Sequence, residues 1–214
     1  LFIFWISSSL AFLNILDIAQ KKKEPLPQQI STTLLFLLTP AETKTKMNNL
    51  VASLMHFEEL VENDAPLNRV LPKLYNKYSE RYEGYTIRRL CQEMHNFYKE
   101  HDVKTYQKRL FRQETLPKIG IKAQEANHEL KRNNAKLVPL ENIVGEIALE
   151  GALPYPPGVF CVGPGEIWTE NAKKYFLILE DGINKFPGFS PEIQGVYLEN
   201  EGGKIKAYGY VLDK

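Results

Sequence analysis

The sequence predicts a mixed protein of the α+β or α/β class, and three observations lead to this prediction. A short apolar run at 34–38 leads directly into an amphipathic helix, as in an α/β unit. Further helical stripes continue to about residue 133, after which the apolar spacing becomes that of short strands. A hairpin pattern closes the chain. The 214 residues are 43% hydrophobic and 25% charged, which is typical of globular proteins and excludes general disorder.

Charge and cysteine content narrow the class of partner and compartment. Lys and Arg number 27 against 26 Asp and Glu, so the sequence gives no reason to expect nucleic acid binding. Cys91 and Cys161 lie far apart without a CxxC motif, which argues against a disulfide scaffold and a thiolate zinc site. We therefore expect a cytoplasmic protein.

Residues 1–33 are the most unusual part of the chain. The apolar run LFIFWISSSLAFLNIL is shorter than the roughly 20 residues that a membrane span needs, and it lacks the charged start of a signal peptide. We expect no membrane span, although an anchor with KKK at 21–23 on the cytoplasmic side stays open. A buried element of a longer protein and a shifted reading frame are the alternatives, and the first residue, Leu1, favours a piece of something longer.

The segment 34–83 begins with the predicted strand LLFLL at 34–38. A helix follows, with Thr39 as N-cap, Pro40 in the first turn and Glu42 completing a capping box. It ends near residues 63–66, before a short helical turn up to Pro72 and a polar, tyrosine-rich connection. The predicted core stripe of this helix is Met47, Leu50, Val51, Leu54, Phe57 and Val61.

Three more helices are predicted between residues 84 and 133. The first is capped by Thr86, and the other two cover 103–113 and about 122–133. The core stripe of the first is Ile87, Leu90, Cys91, Met94 and Tyr98.

Strand patterns dominate the rest of the chain. Residues 136–140 and 145–151 read as strands around a turn, and 159–162 as a third strand. The final strands form a hairpin around the turn 200–203. Thr169 is predicted to cap one further helix, with the stripe Ala172, Tyr175, Phe176, Leu179 and Ile183.

Common catalytic motifs are missing from the sequence. It contains no phosphate-binding GxxxxGK[ST], no GxGxxG after a strand and no HExxH. The four histidines lie without carboxylates at ligand spacing, so no metal site is predicted. Ser190 lacks the second glycine of a nucleophile elbow, and Cys91 lies on an apolar stripe.

The run LPYPPGVFCVGPGE at 153–166 is rich in the turn-forming residues proline and glycine. Two prolines and a glycine make a rigid turn, and Pro164-Gly165 makes a second one just before Glu166. This support can hold one carboxylate in a fixed place, as a binding site requires. The alternative is that both are only turns and that Glu166 is a charge favoured by the dipole of the next helix.

The run GALPYPPGVFCVGPGEIW at 151–168 resembles the C-terminal domain of the bacterial ornithine/lysine/arginine decarboxylases. The segments 36–42, 47–72, 84–114 and 174–199 are similar to the family in order and spacing, so the likeness covers about 34–214. Cys161, Trp168 and the segment 194–197 resemble the ornithine branch.

The resemblance implies an aminotransferase-like enzyme of fold type I that uses pyridoxal phosphate (PLP). Residues 34–83 would end the PLP-dependent region and its small domain, and 84–214 would be the C-terminal domain, whereas 1–33 depart from the family. The family's Schiff-base lysine follows a histidine, and this sequence has no His-Lys pair. The catalytic lysine and the cofactor-binding residues are therefore expected upstream, and the chain alone should be inactive.

By the same resemblance, the reaction is the conversion of L-ornithine to putrescine and CO₂ in a homodimer or larger homo-oligomer. Tyr155, Gly158 and Glu166 are the candidates for the substrate channel, with Glu166 facing the distal amine of ornithine. Two other interpretations stay open: a stand-alone interaction or regulatory module, and the product of a disrupted gene.

Overall fold

The structure, a computed structural model, describes residues 43–155 and 158–213. The predicted strand 34–38, the capping box at 39–42 and everything proposed for 1–33 lie outside the described residues. Among the helices that the structure does describe, none is long and apolar enough to cross a membrane. The chain divides into two compact units, Leu1–Phe97 and Tyr98–Lys214.

The first unit is helical in its described part. The first helix begins at Lys44, later than the Thr39 signal predicts, and it ends as predicted before Asn63. The polar, tyrosine-rich connection folds into short helices, and Pro72 occupies a first-turn position of one of them, where its fixed φ is suitable. The helices are α1 (Lys44–Glu62), α2 (Leu67–Val70), α3 (Pro72–Lys77), α4 (Ser79–Tyr82) and α5 (Ile87–Glu100), the last of which runs past the division between the units.

Hydrogen bonds around an isolated bridge between Pro66 and Thr86 join the ends of α1 and α5. The Thr86 hydroxyl accepts from the Arg89 amide at 3.2 Å, which confirms its predicted cap. The Arg88 guanidinium donates to the carbonyl oxygens of Val61 at 2.8 Å and Glu62 at 2.6 Å. Arg88 thus satisfies carbonyls at the end of α1 that have no partner within the helix.

The two long helices of the first unit, α1 and α5, differ in how far their apolar stripes are buried. In α1, Val51 is 51% exposed, Leu54 and Phe57 are half-buried and Val61 is buried, so the predicted core stripe is only partly buried among the residues whose burial is described. In α5 the last buried residue is Phe97 rather than the predicted Tyr98, which is only half-buried. The other buried residues of α5 are Ile87, Leu90, Cys91 and Met94, as predicted.

The second unit combines helices with two small antiparallel sheets, which confirms the mixed fold class. A three-stranded sheet has the order β1-β5-β4, and a separate pair is formed by β2 and β3. The helices are α6 (Val103–Leu110), α7 (Ala123–Lys131) and α8 (Glu170–Lys185), with 3₁₀ turns at Gln113–Thr115 and Leu140–Asn142. The strands are β1 (Ala135–Pro139), β2 (Leu153–Tyr155), β3 (Glu192–Gln194), β4 (Tyr197–Glu201) and β5 (Lys204–Leu212).

Strand β5 organises this unit because both of its edges are hydrogen-bonded along their length. On one edge β1 pairs with 208–212, and side chains of α8 bond the backbone before that point. On the other edge β4 pairs with 204–208, and the segment 147–149 continues the pairing. Asn184 of α8 accepts from the Ile205 amide through Oδ1 at 2.7 Å and donates to the Ile205 oxygen through Nδ2 at 2.8 Å. Glu180 of α8 accepts from the Ala207 amide through Oε2 at 2.7 Å.

Two strand predictions are wrong. Residues 145–151 do not pair with β1; Ile147 and Ala148 make single bridges to Ile167 and Val211. Residues 159–162 form no strand, since only Val162 pairs, in a single bridge with Ala152. The strand in this region is β2 instead, which pairs with β3.

The remaining predictions for this unit are confirmed. Thr169 caps α8 by accepting from the Ala172 amide at 3.2 Å, and every residue of its predicted stripe is buried. The hairpin forms with Gly202 and Gly203 as its turn, both at positive φ. The strand predicted at 136–140 and the two helices predicted before it are present, with the helices somewhat shorter than predicted.

Candidate functional site

The loop 153–161 rises from a backbone bridge at its base. The Ala152 amide donates to the Val162 oxygen at 2.8 Å, and the Cys161 amide donates to the Ala152 oxygen at 2.9 Å. Strand β2 forms the rising side of the loop, and its last residue, Tyr155, lies opposite Glu192 of β3. Pro156 and Pro157 lie outside the described residues.

Tyr155 and Gly158, two of the three predicted channel residues, contact each other in this loop. The Gly158 amide donates to the Pro154 oxygen at 3.1 Å, which closes a turn in which Gly158 has a φ of +77°. A Cβ at this position would lie 2.8 Å from Cδ2 of the Tyr155 ring. Only glycine allows both this backbone conformation and this close approach of the ring.

The tip of the loop presents apolar side chains to solvent. Val159 is 48% exposed and Phe160 55%. The Phe160 ring lies over Gly151, where a Cβ would overlap with the ring. Below the tip, Cys161 is buried, and burial raises the pKa of its thiol to about 12. Cys161 is therefore a protonated packing residue at neutral pH rather than a nucleophile.

Glu166, the third predicted residue, lies in a second turn at 163–167. Its Oε2 accepts from the Gly163 amide at 2.6 Å, and its own amide donates to the Gly163 oxygen at 3.1 Å. From the described residues its other carboxylate oxygen, Oε1, accepts no hydrogen bond. The interpretation of Glu166 as a helix-dipole charge is wrong, because α8 begins only at Glu170 and the dipole acts within the first turn.

Backbone segments on both sides hold the 163–167 turn. On one side the Gly165 oxygen accepts from the amides of Gly120 at 2.9 Å and Ile121 at 3.0 Å. On the other side the Ala148 amide donates to the Glu166 oxygen at 2.8 Å. The backbone carrying the carboxylate is therefore fixed from two directions, which is the condition for a pre-organised group.

The structure thus divides the predicted site into two parts. Tyr155 and Gly158 share the 153–161 loop, whereas Glu166 lies in the 163–167 turn, past the bridge at the base of that loop. Whether these residues line a substrate channel stays a prediction.

Sequence reasoning missed a polar contact near the base of the loop. The Tyr197 hydroxyl donates to Oε2 of Glu150 at 2.6 Å, and this bond raises the pKa of Tyr197 to about 12. The Tyr197 ring also packs edge-on against Tyr210, with the ring centroids 4.9 Å apart. No local pattern could reveal the pair, because its members are 47 positions apart in the chain.

The described residues do not fit PLP. The cofactor is held as an imine by a lysine in a site closed to water. Among the lysines whose side chains the structure describes, none is buried. The side chain of Lys173 is 19% exposed, and it is paired with Glu170 at 2.9 Å. Nor do the described residues contain a group of three His, Cys, Asp or Glu side chains able to hold a metal ion.

The comparisons with known proteins all find similarity to decarboxylases of one family. Residues 104–213 match the sequence model of the family described as Orn/Lys/Arg decarboxylase, C-terminal domain. The inducible ornithine decarboxylase of Lactobacillus sp. (strain 30a) is 62% identical over 181 residues, which are 85% of this chain and 25% of that protein. The ornithine decarboxylase of Haemophilus influenzae is 58% identical over 84% of this chain and 25% of its own length.

A solved structure supports the fold. Lysine decarboxylase A from Pseudomonas aeruginosa superposes with a TM-score of 0.78 at 25% identity, covering 95% of this chain and 27% of that one. The chain thus spans about a quarter of the length of the curated relatives that it matches.

Proposed function

The chain belongs to the Orn/Lys/Arg decarboxylase family, whose C-terminal domain it contains, and from this premise we propose that it is part of an ornithine decarboxylase. The reaction is the conversion of L-ornithine to putrescine and CO₂. The observation that carries the proposal is the 62% identity to a protein named as an inducible ornithine decarboxylase. In the same sequence comparison a lysine decarboxylase of Pseudomonas aeruginosa is only 31% identical, which favours ornithine over lysine as the substrate.

In this proposal the PLP-binding residues lie in another part of the enzyme. PLP supplies the electron sink for decarboxylation. Because no described lysine is buried, the described residues supply no lysine suited to hold PLP, and we expect the chain alone to release no CO₂. The enzyme acts as a homodimer or larger homo-oligomer in the cytoplasm, a location supported by two cysteines that are both free.

The role proposed for this domain is to shape the approach of the substrate. Glu166 is the central residue, because one of its oxygens is bound to Gly163 while Oε1 accepts no hydrogen bond from the described residues. That oxygen meets the distal ammonium of ornithine in a charge-assisted hydrogen bond. Tyr155 and Gly158 form a rigid wall of the same approach, since the Tyr155 ring packs against the glycine backbone.

A domain exchange tests the proposed function. The C-terminal quarter of the Lactobacillus ornithine decarboxylase is replaced by residues 34–214, and CO₂ release is measured with L-ornithine and with L-lysine. We expect the chimera to bind PLP and to keep its preference for ornithine. A chimera that binds PLP and forms the parent's oligomer, yet decarboxylates neither amino acid, contradicts the proposal.

Glu166→Gln in this chimera tests the role of the carboxylate. Glutamine can still accept from the Gly163 amide, so the turn is kept while the charge is removed. Loss of a charge-assisted bond of about 1.5–3 kcal/mol raises KM for ornithine roughly 10- to 100-fold. An unchanged KM would show that Glu166 does not meet the substrate.

A further inference from the structure

Ile119 has an unusual position for a large apolar side chain. It is 76% exposed, more than any of the other exposed large apolar residues among those that the structure describes. Burial of an isoleucine side chain stabilises a protein by roughly 1.5–3 kcal/mol. The exposed Ile119 side chain does not contribute this stabilisation, and contact with a partner surface would supply it. Single exposed apolar residues are common, however, and exposure alone indicates no function.

The backbone around Ile119 is fixed, so the exposed side chain has a defined place. The Lys118 oxygen accepts from the Ile167 amide at 2.8 Å. The Gly120 amide donates to the Gly165 oxygen at 2.9 Å, and the space at Gly120 is filled by Ile147 and Ile167. Ile119 is therefore held on a rigid support.

Its partner across that support is Glu166. The two residues form an isolated antiparallel bridge. Residues directly opposite each other in an antiparallel pair project to the same face, with Cβ atoms about 4.5–5.5 Å apart. An exposed apolar side chain and a carboxylate with one open oxygen thus lie side by side at a fixed spacing.

We propose that Ile119 is a second substrate-contacting residue, which packs against the methylene chain of the diamino acid whose distal ammonium meets Glu166. The inference rests on the proposed function and extends it to specificity. An apolar group beside an anionic group matches an alkyl chain that ends in an ammonium ion. Because one backbone bridge fixes both residues, the spacing favours one alkyl length and discriminates ornithine from lysine, which has one more methylene.

The test uses the active chimera with Ile119→Ala, Ile119→Val and Glu166→Gln, and with Ile119→Ala/Glu166→Gln together. Each buried methylene contributes roughly fourfold in affinity, so Ile119→Ala raises KM for ornithine at least about fourfold with kcat unchanged, and Ile119→Val raises it less. The ratio of kcat/KM for ornithine to that for lysine falls. The double variant shows less than the product of the single effects, since the two residues contact one substrate.

Leu198→Ala is the matched control. Leu198 is an exposed apolar residue of the hairpin, 38% exposed and paired with Ala207, and its loss should leave KM and the ornithine-to-lysine ratio unchanged. An Ile119→Ala variant that behaves like this control while Glu166→Gln raises KM overturns the inference and leaves the proposed function standing. A fall in kcat with an unchanged KM also overturns it, because that pattern indicates a disturbed turn. If the unsubstituted chimera binds PLP and forms the parent's oligomer but is inactive, the inference and the proposed function fail together.

Discussion

Glu180 shows at the scale of one residue how this fold uses a charged group as a structural part. It is the one buried charged residue among those described, 5% exposed, and its carboxylate accepts from the Ala207 amide at 2.7 Å. That amide lies on the β1 edge of β5, but beyond the end of β1, so β1 supplies no acceptor for it. Burial raises the pKa of Glu180, while the Ala207 bond opposes the shift.

The raised pKa predicts how stability depends on pH. A carboxyl whose pKa is raised by folding contributes stability that is fully present below the unfolded pKa, about 4.3, and is lost as pH rises through the folded pKa. Glu180→Gln keeps an acceptor and cannot ionise. We therefore expect the difference in free energy of unfolding, Gln variant minus wild type, to increase as pH rises above about 4.3. Urea unfolding at several pH values measures this difference.

Glu180→Ala is the companion variant. It leaves the Ala207 amide buried without an acceptor, and it should lower the free energy of unfolding by about 1–3 kcal/mol relative to the Gln variant. Parallel pH curves for the wild type and Glu180→Gln would contradict the assigned cause.

Gly165 and Gly145 form a matched pair for a second prediction. Their φ angles are +84° and +86°, so alanine is strained similarly at both. A Cβ at Gly165 would collide with the Ile121 oxygen, whereas none of the described atoms lies within 4 Å of one at Gly145. Gly165→Ala should cost about 1–3 kcal/mol more than Gly145→Ala in urea unfolding. Equal losses would show that the 163–167 turn yields easily.

At the scale of elements, predictions succeeded where local signals agree with tertiary contacts. Helix α8 has both an N-cap at Thr169 and a five-residue stripe that is entirely buried. The strand prediction for 145–151 was wrong because the pairing there is limited to single contacts. Ile147 accepts from the Leu212 amide of β5 on one side and forms an isolated bridge with Ile167 on the other. Such long-range pairing leaves no trace in apolar spacing.

The cap of α8 gives a prediction at this scale. Thr169→Ala removes the acceptor for the Ala172 amide, and it should lower the free energy of unfolding by about 1 kcal/mol. Thr169→Ser keeps the hydroxyl and should cost less than half as much. Thermal unfolding followed by circular dichroism measures both; equal losses would assign the effect to the Thr169 methyl group instead.

At the scale of the whole molecule, the sequence revealed the family but only part of the candidate site. Tyr155, Gly158 and Glu166 could be named as candidates because turn residues and a long resemblance mark their segment. Ile119 was not among the candidates, since its link to Glu166 is a backbone bridge between segments that are distant in the chain. Pairings of this kind depend on the folded topology, which residue patterns do not specify.

The second unit should fold by itself, because β5 is hydrogen-bonded on both edges by residues of that unit. Trp168, 2% exposed, is the tryptophan of this unit and reports on its core through fluorescence. We expect residues 98–214 to unfold in urea in one cooperative transition, with the β5 amides slowest in hydrogen exchange. A gradual transition would show that the unit depends on the rest of the chain. Comparison with 84–214 tests the predicted domain boundary, since residues 84–97 raise the free energy of unfolding only if α5 belongs to this domain.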